Sequence, residues 1–152
     1  MEKLTFTTAE INDDLQDVIN SGGKLALGVT GGSMMPFLKH LRDTVFICNC
    51  SFEDIKCGQI LLFKRKDGRI ILHRVRRVYS DCKLLMNGDS QVWCEKIDFS
   101  QVIARVYEVE RNGKRYRSDS FIFKLWAFLW FPTKPLRPFL FKILEKIKNI
   151  CR

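Results

Sequence analysis

The sequence predicts a mainly β domain with a curled sheet, one N-terminal helix and a C-terminal helical pair. Three observations carry this reading. The chain has 152 residues, enough for one domain with a short appendage. Seven short runs of β type are separated by Asp-Gly, Asn-Gly and related turns. At Ser118 the composition changes to an aromatic and then an amphipathic segment. A repeat array, a two-domain dinucleotide enzyme and an eight-stranded barrel enzyme of ordinary size do not fit this length. With 46% hydrophobic and 28% charged residues, the chain has ample material for a core and is not of disordered type.

The elements follow in order. Residues 9–20 read as a helix, with Thr7 or Thr8 as cap and Ile11, Leu15, Val18 and Ile19 at helical spacing, stopped by Ser21, Gly22 and Gly23. Residues 24–30 form a strand that ends at Gly31 and Gly32. Residues 44–48 and 59–64 are the next two strands. Asp67-Gly68 supplies the positive φ of a hairpin turn, and 69–78 is the returning strand. Residues 84–86 lead into Asn87, Gly88 and Asp89, and 101–110 pair across Asn112-Gly113 with 115–117. Several short strands after one helix describe a curled sheet, and no linker divides residues 1–118. These residues form the first unit and 119–152 a helical tail.

In that tail, residues 121–131 read FIFKLWAFLWF. As a helix this run spans roughly 16 Å at 1.5 Å per residue, too short for a bilayer core of about 30 Å. Pro132 and Pro135 break it. Over 136–150, Leu136, Phe139, Leu140, Ile143, Leu144, Ile147 and Ile150 share one stripe, with Lys142, Lys146 and Lys148 off it. Such a pair can cover an apolar face of the β domain. It can also rest on a membrane surface, with Trp126 and Trp130 at headgroup depth and the lysines meeting anionic lipid; the aromatic run favours this second reading.

Charge supports an anionic partner without naming it. Lys and Arg number 26 against 17 Asp and Glu, net +9. Residues 119–152 hold 7 basic and 2 acidic residues, net +5, so over half the excess lies in the tail. Arg74, Arg76 and Arg77 fall on both faces of one strand and form no single basic stripe, which argues against a nucleic-acid surface. The six cysteines are expected to be reduced and mostly packed. A zinc site would join Cys57 and His40 to Cys48 and Cys50, but no second paired-ligand motif follows. Neither metal nor cofactor is expected.

The chemistry gathers in three places. Gly31, Gly32, Ser33, Met34, Met35 and Pro36 directly follow a strand; the glycines permit a tight bend that exposes the hydroxyl and lets backbone N–H groups face an oxyanion. An ordinary turn also collects such residues. His73 lies inside an apolar strand, where alternation sends Ile71, His73 and Val75 to one face and Leu72 and Arg74 to the other. Paired with Ser33, its imidazole would be the general base for acyl transfer. Asp89, in the turn after the next strand, is the natural third group, with Glu95 and Asp98 further candidates.

Together these segments resemble the signal peptidase I family and its relatives, the self-cleaving repressors. GGSMMPFLKHLRDTVFI is similar to the family's Gly-x-Ser-Met-x-Pro box and the strand after it. GQILLFKRKDGRIILHRVRRV resembles its Gly-Asp-Ile-Val stretch leading into a base-bearing strand, and LLMNGDS its Lys-Gly-Asp-Asn box. The likeness covers roughly residues 24–109. It implies a signal peptidase/repressor-protease-like curled β domain. His73 stands where the endoplasmic-reticulum and archaeal-like branch carries a histidine base, and Ser33 matches the nucleophile; Lys64 lies too early to be the lysine base of the bacterial branch. Asp89 matches the aspartate of the third box. That branch carries a second aspartate a few residues on, where this chain reads QVWCEKID, and Asn87 replaces the box's usual lysine.

The resemblance implies a serine endopeptidase that cleaves signal or leader peptides at a defined site, with catalytic Ser33, His73 and Asp89. Met34, Met35 and Phe37 would rim the site, and the substrate would add a strand to a sheet edge. Residues 1–20 carry too many charges to insert as the family's membrane span, and 20 residues cannot hold the helix-turn-helix domain of the repressors. The expectation is a stand-alone catalytic domain, peripheral on the membrane through 119–152, at the cytoplasmic face, with a peptide exporter as a further partner. A self-cleaving regulatory domain and a non-catalytic basic binding module are the alternatives.

Overall fold

The computed structural model describes residues 5–6 and 13–150. The Thr7 and Thr8 caps, the first turn of the expected helix and Cys151 lie outside them. Among the described residues nine strands form one sheet: β1 (Thr5–Phe6), β2 (Leu25–Gly28), β3 (Asp43–Cys48), β4 (Ile60–Lys64), β5 (Ile70–Val78), β6 (Lys83–Asn87), β7 (Glu95–Asp98), β8 (Val102–Arg111) and β9 (Lys114–Arg117). The helices are α1 (Asp13–Asn20), α2 (Phe121–Trp130) and α3 (Arg137–Ile150). The fold is mainly β, as expected. Of the two strands that the sequence reading lacks, β1 is two residues long and β7 lies in the QVWCEKID stretch.

The sheet order is β1-β2-β3-β8-β4-β5-β6-β7, antiparallel except for β1 against β2. Long β8 is the hinge of this arrangement. One of its edges takes β3, while the other takes β4 at Val102–Arg105 and β9 at Glu108–Arg111. Register shifts at Phe46/Ile47, Leu62/Phe63 and Val75/Arg77 add local twist, and the sheet curls between two cores.

Strand β4 shows why. Ile60, Leu61, Leu62 and Phe63 are all buried, the mark of a strand covered on both faces. Ile60 and Leu62 join a first core with Leu27, Val45, Leu72 and Val106, whereas Leu61 and Phe63 join a second with Val75, Leu84, Met86 and Ile97. The expected turns close the hairpins. Gly68 has φ 86° and the Asp67 carboxylate accepts the Arg69 N–H at 3.0 Å, while Asn112 (φ 51°) and Gly113 (φ 75°) turn β8 into β9.

The tail is part of this body. Phe123 and Ala127 of α2 are buried, Phe123 belongs to the first core, and Trp126 lies against it. Trp126 and Trp130 therefore do not point outward, a correction to their expected place at headgroup depth. They stack at 5.1 Å, and the Trp130 indole N–H donates to the Asp89 carbonyl at 2.7 Å. The opposite face of the tail stays exposed. No helix among the described residues is long and apolar enough to cross a membrane.

Candidate active site

The Gly-Gly-Ser segment leaves the end of β2. Gly31 has φ 78°, which an L side chain adopts at a cost, and its N–H donates to His40 Nδ1 at 3.1 Å. A turn follows, with Met35 N–H donating to Gly32 O and Leu38 N–H to Met34 O. Its apolar side chains anchor the bend: Met34 and Phe37 are buried in the first core. Met34 still lines a cleft between the Ser33 loop and β5, whereas Phe37 does not, and of the three residues expected at a rim only Met35 is partly exposed. Ser33 is half-buried.

The Asn87-Gly88-Asp89-Ser90 turn is fastened onto Ser33. Ser90 donates twice to the Ser33 carbonyl, from its N–H at 2.9 Å and from its hydroxyl at 3.0 Å. Only glycine fits beside this contact, because a Cβ on Gly88 would lie 2.7 Å from Ser33 O. Ser90 thus holds the Ser33 segment and has no donor left for another acceptor.

Asp89 does not reach His73, a correction to its expected role as the third catalytic group. Its buried carboxylate takes the Arg74 guanidinium bidentately, Nε to Oδ1 at 2.9 Å and Nη2 to Oδ2 at 2.7 Å. Arg74 is itself completely buried, donates from Nη1 to Gly58 O at 2.8 Å and stands 4.7 Å over the Phe37 ring. An aspartate in this place satisfies a buried cation. With Arg74 next to His73 on β5, the alternation that sends His73 to one face sends its neighbour to the face where Asp89 lies.

The carboxylate beside His73 belongs to Glu95, at the start of β7. His73 Nδ1 lies 3.1 Å from Glu95 Oε1, within ion-pair distance were the ring protonated, and makes no hydrogen bond there. Arg65 takes the same carboxylate bidentately, Nε to Oε2 at 2.6 Å and Nη2 to Oε1 at 2.5 Å, so the oxygen facing His73 is shared with a guanidinium, which lies 5.4 Å over the Trp93 ring. The imidazole is buried between Phe63 and Trp93, at 5.9 and 6.2 Å. Burial, above all, pushes its pKa down to about 4; Glu95 opposes this and Arg65 adds to it. The ring is neutral at physiological pH. Asp98, the third candidate carboxylate, is exposed at the far end of β7, where it caps a short 3-10 turn.

Between the Ser33 loop and β5 runs a cleft of about 250 Å³, lined by Val29 to Met34 and by Ile70, Ile71 and Leu72. Pairing of β5 with β6 begins only at Arg74, so this stretch of β5 has an open edge. In the unbroken register of β4 with β5, Ile71 and His73 share the parity of Val75, whose N–H donates to Gln59 O. Ile70 and Leu72 therefore turn their backbone polar groups away from β4 and towards the cleft. His73 is the next residue along, its ring in the second core, and no hydrogen bond joins it to Ser33 among the described residues. The three segments are brought together, with Glu95 in the place expected of Asp89.

Arg65, Arg74 and Trp93 were not evident as site residues from sequence. The Arg74–Asp89 pair had a local signal in the arginine adjoining the histidine. Glu95 had none beyond its position six residues after Asp89. Among the described residues, no three His, Cys, Asp or Glu side chains cluster as metal ligands, and Cys48, Cys50, Cys57, Cys82 and Cys94 are free thiols, with Cys57 and Cys82 exposed rather than packed. The chain matches no known family model and no curated protein in sequence.

Proposed function

We propose that this chain is a serine endopeptidase acting on an extended signal or leader peptide, with Ser33 as nucleophile, His73 as general base and Glu95 as the carboxylate behind it. The observation that carries this reading is the joining of three separate segments around Ser33: the glycine bend, the open edge of β5 ending at a buried neutral histidine, and the turn that bonds the Ser33 carbonyl. A peptide laid along Ile70 and Leu72 adds a strand to the sheet and presents a carbonyl to Ser33. The Ser33 hydroxyl attacks that carbon while His73 takes its proton. Glu95 stabilises the imidazolium, and the Ser33 N–H faces the developing oxyanion. His73 then protonates the departing amine, and water, deprotonated by His73, releases the acyl group and regenerates Ser33. No cofactor takes part. On this reading Ser33 and His73 must come within hydrogen-bond reach once substrate is bound.

The exposed apolar face of α2 and α3, with its lysines, supports peripheral residence on an anionic membrane, where leader peptides emerge at the lipid surface or from an exporter.

The test is co-expression with a panel of leader and signal peptides, read by mass spectrometry, for wild type, S33A, H73A and E95Q. Cleavage at one defined bond, lost in S33A and H73A and slowed about a thousandfold or more in folded E95Q, is the expected result. Cleavage that survives in S33A overturns the assignment. Shortening of the chain itself, with the panel intact, replaces it by self-processing.

A further inference from the structure

The α2–α3 segment has two faces that do different things. Its inner face props the nucleophile loop by two routes. In the first, the Phe37 ring, four residues after Ser33, meets Phe123 edge-on at 4.8 Å and Trp126 at 5.4 Å. The second passes through the 87–91 turn. Trp130 donates to Asp89 O at 2.7 Å, and Arg137, wholly buried, donates from Nη1 to Asn87 Oδ1 at 2.7 Å and to Gly88 O at 3.0 Å. That turn in turn donates twice to the Ser33 carbonyl. Two hydrogen bonds in series thus connect the tail to the nucleophile residue.

The outer face is largely exposed among the described residues. Phe121 is 75% exposed, Ile122 65%, Phe128 74% and Leu129 59%, and Phe139 and Ile147 of α3 are likewise exposed. Lys124, Lys142 and Lys146 are exposed on the same two helices, and the tail carries net +5. Apolar side chains and cations on short helices match a surface with an acyl interior and anionic headgroups; a second copy of the chain would bring the same positive charge.

We propose that α2–α3 is a lipid-responsive strut: seating its outer face in an anionic bilayer orders the 87–91 turn against Ser33 and makes the nucleophile more reactive there than in solution. The inference rests on the hydrolase reading of Ser33. Lipid can shift this equilibrium by binding the arrangement that carries the Trp130 and Arg137 contacts more tightly than one without them. The enzyme would then act where its substrates lie and stay slow elsewhere.

The test measures hydrogen exchange of peptides covering 30–35 and 86–91, and the rate at which a fluorophosphonate labels Ser33. Both are followed in buffer, with phosphatidylcholine vesicles and with phosphatidylcholine/phosphatidylglycerol vesicles. Expected for wild type are flotation with the anionic vesicles, slowed exchange in both segments and labelling about tenfold faster. Trp130→Phe, which keeps the ring but loses the indole donor, should float equally and lose most of the response. The outer-face pair Ile122→Glu and Phe128→Glu, checked as folded by near-UV circular dichroism, should neither float nor respond. Failure of wild type to float, or flotation without a change at 86–91, overturns the proposal, as does a full response in Trp130→Phe. Slowed exchange without labelling in any condition leaves the strut standing and removes the hydrolase reading.

Discussion

At the scale of single residues, His73 shows how burial selects a proton-accepting form. An imidazolium in an apolar pocket loses hydration that one carboxylate, already engaged by Arg65, only partly replaces. The depressed pKa has a direct consequence for stability. Between about pH 4 and 6.5 the unfolded chain binds a proton at residue 73 that the folded chain refuses, so the folded state weakens as pH falls through this window. The difference is on the order of 3 kcal/mol, from 1.36 kcal/mol per pKa unit. Urea midpoints at pH 4.5 and 7 should therefore diverge more in wild type than in H73Q; equal divergence would contradict a buried neutral ring. On the proposed hydrolase reading, peptide cleavage should stay flat from neutral pH down to about 5, because His73 remains unprotonated.

The neighbouring pair obeys a different rule. Arg74 and Asp89 are both about 1% exposed, so each is tolerated only because the other is present. D89A leaves a buried guanidinium without its counterion and should cost about 3–5 kcal/mol. Replacing both partners with apolar residues, as in R74M/D89L, should cost much less than the sum of the single changes. A double-mutant cycle by urea denaturation measures that coupling. Additive losses would show that the pair is not a unit.

At the scale of elements, the tail behaves as a third layer laid on the sheet. Phe123 fills the first core beside Phe37, and a Cβ on Gly58 would meet the Ala127 Cβ at 3.2 Å, so α2 lies close on the body. F123A should accordingly destabilise the whole domain by about 3–5 kcal/mol. The expected signature is a single cooperative transition moved to lower urea; a separate early transition would mean that the tail unfolds on its own. Removal of residues 119–152 would uncover Phe37 and free the 87–91 turn, so lipid binding is better probed by changes on the outer face. The β7 element teaches a related lesson. Glu95 and Ile97 share one face of it, but four residues of which three are charged carry too weak a period to be read as a strand.

At the scale of the molecule, charge and apolar surface are segregated. The tail holds the larger share of the excess positive charge and most of the exposed large apolar side chains, whereas the rest of the basic residues are interspersed with acids. Arg115 with Glu108 and Glu110, and Arg117 with Asp119, are examples of such neutralisation. Vesicle binding should thus have both an electrostatic and an apolar part. Raising salt from 50 to 500 mM should weaken flotation with anionic vesicles several-fold without abolishing it. Insensitivity to salt would remove the lysines from the binding surface.

How much was legible in the linear chain follows from the range of the forces involved. Turn chemistry, strand periodicity and the too-short aromatic helix are local, and they sufficed for a mainly β domain with terminal helices. They did not by themselves raise Ser33 above an ordinary turn or His73 above a core histidine; the resemblance of the three segments to a known family did that. Which carboxylate stands beside the histidine is not local. Asp89 and Glu95 lie six residues apart, and their partners are chosen by which face of β5 each meets, Arg74 on one and His73 on the other. The same holds for the tail, whose aromatic run is compatible with lipid on every side when read alone. Only the packed sheet, by offering Phe37 and the Asp89 carbonyl to one side of α2, turned Trp126 and Trp130 inward and left the other side bare.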